Sequence, residues 1–166
     1  MTRLRGPPST TPFRGQSRGN PRLILTFRVT TGCCAAVANA ALTPGWLEER
    51  VSFAVQAKVG AVGVSLWYLA ATRQHGGVII GAGGFAGHAH RGLARGHSGY
   101  LSRDALQHEA AAVSGACIVV RRSGFEDVGS LDERIAVAFN DVDLCLRIRT
   151  AGCRNIWTPF AKLVHH

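Results

Sequence analysis

Two apolar runs most constrain the fold of this chain. Residues Val59–Trp67 (VGAVGVSLW) are short and rich in β-branched side chains, which predicts a buried strand. Residues 115–120 (GACIVV) predict a second strand. Residues 141–151 carry a helical pattern that ends at Gly152, a residue suited to the C-terminal end of a helix. Short strands that alternate with helices predict an α/β fold.

Further elements follow from local signals. Thr43, Pro44 and the acidic pair Glu48–Glu49 predict a helix that begins near residue 44 and runs to about residue 57. Residues 78–80 predict a short strand, residues 101–112 a region with a helix, and residues 155–164 two strands separated at Pro159.

The first part of the chain differs from the rest. Residues 1–22 are rich in Arg, Pro, Gly, Ser and Thr, and no acidic residue precedes Glu48. Such a composition buries too little apolar surface to offset the entropy of ordering, although an organelle transit peptide has a similar composition. We therefore expect residues 1–42 to be a basic, disordered or unrelated leader, and residues 43–166 to form the folded domain.

Charge and cysteine content exclude several classes. A net charge of +9 suits anionic partners, but the chain shows no RNA-binding aromatic signature, finger spacing or helix-turn-helix pattern, so specific nucleic-acid binding is not expected. The five cysteines include no CxxC pair, which indicates a reduced compartment. The apolar run near the N-terminus is too short to span a bilayer. A cytoplasmic location, with possible peripheral contact at the inner membrane face, is the expectation.

A glycine cluster follows the predicted strand 78–80. Residues 81–86 (GAGGFA) match the dinucleotide-binding pattern GxGxxA, which requires a helix that opens at the glycines. The following His88, His90 and further glycines form a poor helix, so a flexible loop that faces a substrate is the preferred interpretation and dinucleotide binding the weaker one. The histidines themselves lack the convergent ligands of a zinc site.

The segment 114–166 contains an ordered set of motifs. These are Ser114-Gly115-Ala116-Cys117, Val128-Gly129-Ser130-Leu131-Asp132-Glu133, Phe139-Asn140-Asp141-Val142-Asp143, Trp157-Thr158-Pro159-Phe160 and His165-His166. Upstream lie Pro44-Gly45-Trp46-Leu47-Glu48 and Gln74-His75-Gly76-Gly77. In order and spacing, this set resembles the second, acceptor-side half of bacterial family 2 glycosyltransferases of the GT-A type, over about 120 residues.

The resemblance implies a partial GT-A fold, with a mixed sheet flanked by helices, and an inverting transfer of a sugar from a nucleotide-sugar donor to a hydroxyl of a glycan or lipid-linked acceptor. Asp141 corresponds to the catalytic base of the family, which must be ionised to accept the proton of the attacking hydroxyl. A capping role for Asn140 or Asp141 is the simpler alternative. Asp143 lies elsewhere around the helix and is expected to pair with Arg147.

Other site residues follow from the same resemblance. Gly115 and Ala116 correspond to a small-residue segment that lines the donor and acceptor pocket, and Asn140 and Asp143 to residues next to the substrate. His165, with His166 as the alternative, corresponds to the ligand of a divalent cation, Mg²⁺ or Mn²⁺, that stabilises the diphosphate leaving group.

The chain also departs from the family pattern. The donor-binding half and its Asp-x-Asp motif have no counterpart in residues 23–34, which contain no acidic residue. This departure predicts a truncated or frame-disrupted product with weak or absent catalysis by itself. It leaves two interpretations open: an enzyme domain completed by another polypeptide, and an inactive remnant or interaction module.

Overall fold

The computed structural model describes residues 27–30, 33–37, 40–135 and 138–165. Its strands, in chain order, are β1 (Phe27–Thr30), β2 (Cys33–Val37), β3 (Ala40–Ala41), β4 (Val59–Trp67), β5 (Arg73–His75), β6 (Val78–Ile80), β7 (Ala86–His88), β8 (His108–Ala110), β9 (Cys117–Arg121) and β10 (Arg154–Val164). The α-helices are α1 (Trp46–Ala54), α2 (Arg122–Asp127) and α3 (Asn140–Thr150).

A mixed sheet organises the described residues. Its main path runs β1-β2-β9-β4-β10-β3, and β5 and β8 pair with β4 and β10 respectively. β4 is parallel to β10 and antiparallel to β9. All nine positions of β4 are buried, which is expected of a central strand covered on both faces. The α/β class predicted from the sequence is confirmed, while the more specific GT-A assignment stays a prediction.

Each face of the central strands packs against a different helix. On one face, Ala61 and Val120 belong to a core cluster with Leu144, Cys145 and Ile148 of α3. On the other, Val62 and Val119 pack with Ala54 at the end of α1. Neighbouring residues of one strand point to opposite faces, so the apolar run in β4 serves both layers.

A close approach between the sheet and α3 requires a glycine in β4. A Cβ atom built on Gly60 would lie 2.1 Å from Cγ2 of Ile148. No side chain fits in that space, so glycine at this position allows α3 to lie directly on the sheet. This contact sets the distance between α3 and the sheet. That distance in turn affects where the residues of the first turn of α3 lie.

Two predicted elements differ in the structure. Residues 101–112 contain a 3-10 turn, Tyr100–Ser102, and then β8 instead of a helix; Leu101 and Ser102 have φ values of 48° and 58°, outside the helical region. The break at Pro159 is an irregularity of register between Thr158 and Lys162, within the single long strand β10. β10 continues because its pairing with β4 resumes beyond the irregularity.

Strands β1, β2 and β3 precede residue 42 and belong to the sheet, with β2 antiparallel to β9. The predicted boundary between residues 42 and 43 stays a prediction, and residues 1–26 lie outside the described part of the chain. Within that part, no helix is both long enough and apolar enough to cross a bilayer.

Candidate active site around Asp141

The carboxylate of Asp141 lies in the first turn of α3 and is half-buried. Its Oδ2 accepts a hydrogen bond from the backbone N–H of Gly115 at 2.7 Å, and its Oδ1 accepts one from the N–H of Val142 at 2.8 Å. Two motifs that are 26 residues apart in the sequence therefore meet at this carboxylate. Each oxygen keeps a lone pair for a further donor, such as a hydroxyl group.

This contact favours glycine at position 115. A Cβ atom there would lie 3.1 Å from Cβ of Asp141 and 3.5 Å from its Oδ2. Such a Cβ would push the carboxylate away from the turn. The small-residue segment thus has one defined task in the structure: it brings a backbone N–H to the Asp141 carboxylate.

The turn that carries Gly115 is itself held by hydrogen bonds. The N–H of Ser114 donates to Nε2 of His75 at 3.2 Å, and the N–H of Ala116 donates to the Ser114 hydroxyl at 3.3 Å. Ser114 is buried and His75 is fully buried. Residues 114–116 are therefore fixed from the side of β5 as well as from α3.

His75 contacts a second histidine. Its Nδ1 lies 2.8 Å from Nδ1 of His88 at the end of β7, and the two rings meet edge to face. Burial, and then the nearby His88 and Arg73, lower the pKa of His75 well below its usual 6.5. Burial also lowers the pKa of His88, whereas the charge of Asp141 acts in the opposite direction. His88 is thus within electrostatic range of the candidate base although part of its ring faces solvent.

Asp143 is engaged within its own helix. Its Oδ2 accepts hydrogen bonds from Nε and Nη2 of Arg147 at 2.9 and 2.7 Å, which confirms the predicted pair of residues four apart. Arg147 also donates to the carbonyl oxygen of Val128 and so ties α3 to the end of α2. Roles in substrate binding for Gly115, Ala116, Asn140 and Asp143 stay predictions.

His165, the predicted metal ligand, follows β10. Its Nδ1 lies 2.9 Å from Oε1 of Gln74, so Nδ1 carries the proton and donates it to the amide oxygen. Gln74 and His75 are neighbours in β5, and their side chains leave opposite faces of the strand. The alternative ligand, His166, lies outside the described residues.

A divalent cation needs more than this one side chain. A hydrogen bond from Nδ1 to a side-chain oxygen, as His165 makes to Gln74, is common among histidines that ligate a metal through Nε2. However, the described residues contain no group of three His, Cys, Asp or Glu side chains placed to hold an ion. The described residues alone therefore do not fit a complete metal site.

The glycine-rich segment forms a hairpin. β6 and β7 are antiparallel, and a 3-10 turn, Ala82–Gly84, joins them. The hairpin does not provide the helix N-terminus with which the dinucleotide pattern binds a pyrophosphate. Phe85 at its tip is exposed, and its ring centroid is 6.5 Å from that of Phe139, which precedes α3.

A buried ion pair holds the segment beyond this hairpin, and sequence reasoning missed it. Arg73 of β5 donates to Asp104 and Ser65, and its guanidinium lies 3.8 Å from the centre of the Trp67 ring. His90 Nδ1 is 3.3 Å from Asp104 Oδ1, within ion-pair distance but without hydrogen-bond geometry. Asp104 anchors residues 90–104 through these contacts. Arg73 and Asp104 are 31 residues apart, so no local sequence pattern indicates that they pair.

Sequence comparison relates the chain to longer proteins. It is 47% identical over 126 residues to an uncharacterized protein, y4gI, of Sinorhizobium fredii, and 40% identical over 124 residues to the O-antigen biosynthesis protein RfbC of Myxococcus xanthus. These matches cover 75% and 74% of this chain but only 14% and 10% of the two proteins. The chain thus spans a small part of the curated relatives it matches.

A shorter match concerns an enzyme. Over 54 residues, 32% of this chain, it is 44% identical to an N-acetylglucosaminyl-diphospho-decaprenol L-rhamnosyltransferase of Mycobacterium tuberculosis, and the match covers 18% of that enzyme. No protein-family model matches the chain. The chain is therefore related to a glycosyltransferase and to a protein of O-antigen biosynthesis.

Proposed function

We propose that this chain forms the acceptor-side part of an inverting family 2 glycosyltransferase with a GT-A-type fold, in which Asp141 is the general base. One observation carries the proposal: the Asp141 carboxylate is held by the Gly115 N–H at the first turn of α3, with a lone pair left on each oxygen. The kinship with proteins named for sugar transfer and O-antigen biosynthesis supports the same reaction class.

The chemistry assigned to Asp141 is proton removal. The acceptor hydroxyl oxygen attacks the anomeric carbon of the donor, the bond from that carbon to the nucleoside diphosphate breaks, and the hydroxyl proton passes to Asp141. Attack from the face opposite the leaving group inverts the configuration. Asp143 is not assigned this task, because its Oδ2 accepts both hydrogen bonds from Arg147 and the carboxylate is directed along α3.

The substrate-binding residues follow from their positions around this carboxylate. Gly115 and Ala116 are small residues beside Asp141, at the segment that the family resemblance assigns to the donor and acceptor pocket. Asn140 is half-buried at the start of α3 and has an amide that suits a sugar hydroxyl. We assign Asp143 to the support of this end of the helix through Arg147.

A divalent cation, Mg²⁺ or Mn²⁺, would stabilise the leaving diphosphate, with His165 as the ligand that this chain contributes. Since the described residues do not complete its site, the remaining ligands would come from the donor phosphates, from residues outside the described part of the chain, or from another polypeptide. No step assigned to Asp141 depends on this ion. The donor is a nucleotide sugar and the acceptor a glycan or lipid-linked sugar.

The test is sugar transfer by the full chain. Purified protein is incubated with Mn²⁺, radiolabelled nucleotide sugars and soluble acceptor glycosides, and Asp141→Asn is compared with Asp143→Asn. We expect Asp141→Asn to reduce transfer by about 10²–10⁴-fold, the range typical of a lost general base. Asp143→Asn should keep most of the rate. Measurable transfer by the wild type at a rate that Asp141→Asn leaves unchanged would contradict the assignment.

Calorimetry separates the remaining interpretations. Titration of nucleotide sugars with Mn²⁺ that gives binding but no transfer indicates a domain completed by another polypeptide. No binding of any nucleotide sugar favours an inactive remnant or an interaction module. Binding of NADH, read from its fluorescence, would revive the dinucleotide interpretation that the hairpin geometry disfavours.

A further inference from the structure

The two histidines next to the candidate base form a directed hydrogen-bond chain. The Ser114 N–H can only donate, so Nε2 of His75 accepts and carries no proton. In a neutral imidazole the proton then lies on Nδ1, which donates to Nδ1 of His88 at 2.8 Å. His88 in turn carries its proton on Nε2. The backbone amide of Ser114 thus determines the tautomers of both rings.

The turn 114–116 connects this hydrogen-bond chain to the carboxylate of Asp141. Ser114 is anchored on His75, and the next amide, that of Gly115, holds Oδ2 of Asp141. His75 is fully buried, and burial lowers its pKa, so it stays neutral and keeps its acceptor nitrogen. His88, by contrast, is partly exposed and can exchange protons with solvent.

A proton on Nδ1 of His88 is incompatible with this arrangement. That proton would face the Nδ1–H of His75 across 2.8 Å. His75 can relieve the conflict only by moving its own proton to Nε2, where it then faces the Ser114 N–H. In either case one hydrogen bond of the chain is lost, because a neutral imidazole has a single acceptor nitrogen and cannot accept from both His88 and Ser114.

We propose that His75 is a positioning residue for Asp141, with its tautomer fixed by the Ser114 amide, and that a proton bound at Nδ1 of His88 releases the turn that presents Gly115 to the carboxylate. The functional meaning of this arrangement rests on the proposed role of Asp141 as base. The charged groups that face the histidine pair are Arg73 of β5, Arg91 after β7 and Asp141 of α3. The two arginines disfavour a further proton on the histidine pair, and Asp141 favours one on His88. The carboxylate that the pair positions therefore also influences the protonation of His88.

The first test examines the hydrogen-bond chain directly and needs no sugar substrate. Long-range ¹H–¹⁵N spectra of the full chain at pH 7.5 should show the Nδ1–H tautomer for His75 and the Nε2–H tautomer for His88. The opposite tautomer at His75 would overturn the proposal. This measurement needs no variant, so it decides the hydrogen-bond direction even if a substitution prevents folding.

Amide hydrogen exchange tests the positioning. We expect His75→Leu to speed exchange at Ser114 and Gly115 about tenfold, the effect of one lost hydrogen bond. His75→Gln, whose side-chain oxygen can accept from Ser114, should restore most of the protection. The exposed His97 serves as the control, and His97→Gln should change nothing at these amides. Unchanged exchange at Gly115 in His75→Leu would overturn the proposal.

The pH dependence distinguishes a switch from a merely structural contact. After correction for intrinsic exchange, protection at Gly115 should fall as the pH is lowered through the titration of His88, while protection at Val119 in the sheet stays constant. His88→Gln accepts from His75 but does not titrate, so its Gly115 protection should not depend on pH. A pH response that persists in His88→Gln would contradict the switch. If these results appear but Asp141→Asn leaves transfer unchanged, the proposed function fails and the hydrogen-bond chain stands.

Discussion

The backbone N–H of Gly115 donates to Oδ2 of Asp141 across 2.7 Å, and this bond joins the turn before β9 to the first turn of α3. A hydrogen bond to a carboxylate is stronger than one between neutral groups, by roughly twofold. It also fixes the direction of the side chain. The orientation of Asp141 therefore depends on a residue whose contribution is its backbone and its lack of a side chain.

Replacement of Gly115 by Ala should disable Asp141 without unfolding the chain. The new Cβ would lie 3.1 Å from Cβ of Asp141, so the carboxylate must shift by a few tenths of an ångström, which lengthens and weakens the N–H contact. We expect a loss of transfer of about tenfold or more, consistent with about 1.5–3 kcal/mol for a hydrogen bond to a charged group. Gly124→Ala in α2, where a Cβ meets nothing within 4 Å, is the matched control. Equal transfer rates for the two variants would show that the contact is dispensable.

Gly60→Ala should destabilise the packing of α3 on β4. The added methyl group overlaps Cγ2 of Ile148, and overpacking of this kind costs about 1–3 kcal/mol of unfolding free energy. Urea denaturation measures the loss. The double variant Gly60→Ala/Ile148→Ala removes the overlap and should be more stable than the sum of the two single effects predicts. Strict additivity would mean that the two positions do not touch.

Asp104→Asn should loosen the segment 90–104. Removal of one charge leaves Arg73 buried without its partner, at a cost of about 3–5 kcal/mol. Limited trypsin digestion should then cut faster at Arg91, Arg95 or Arg103. As the control, Glu126→Gln breaks the Arg122–Glu126 pair, whose side chains are 53% and 57% exposed, and should leave the digestion pattern unchanged. Wild-type resistance in Asp104→Asn would contradict the anchoring role.

Stability should fall on mild acidification. The pKa values of His75, His88 and His108 are lowered by burial in the folded state, whereas in the unfolded chain they are near 6.5. Below that value the unfolded state binds more protons, so the contribution of these groups is fully present above pH 6.5 and is lost as the pH falls towards the folded pKa values. Urea midpoints between pH 7.5 and 5 measure the effect, and His75→Gln should have the flatter profile. A midpoint independent of pH in the wild type would contradict the burial of neutral His75.

Local sequence patterns were sufficient for several of the regular elements. The apolar run of β4 and the helix that ends before Gly152 lie where they were predicted, and so does the pair Asp143–Arg147. Each depends on neighbours within a few residues. The predicted helix in 101–112 was wrong because β10 offers residues 108–110 a strand partner, a competition that no local pattern reveals.

The amino-acid sequence by itself determined that Asp141 opens a helix and that Gly115 precedes a buried strand, because periodicity and chain stiffness act over a few residues. Only the tertiary structure decided that the two meet, and that His75 anchors the same turn from 39 residues away. The order of strands around β4 brings these segments together, and that order is set by burial of apolar surface across the whole sheet. Hydrogen bonds between such distant residues form only once that burial has placed them side by side.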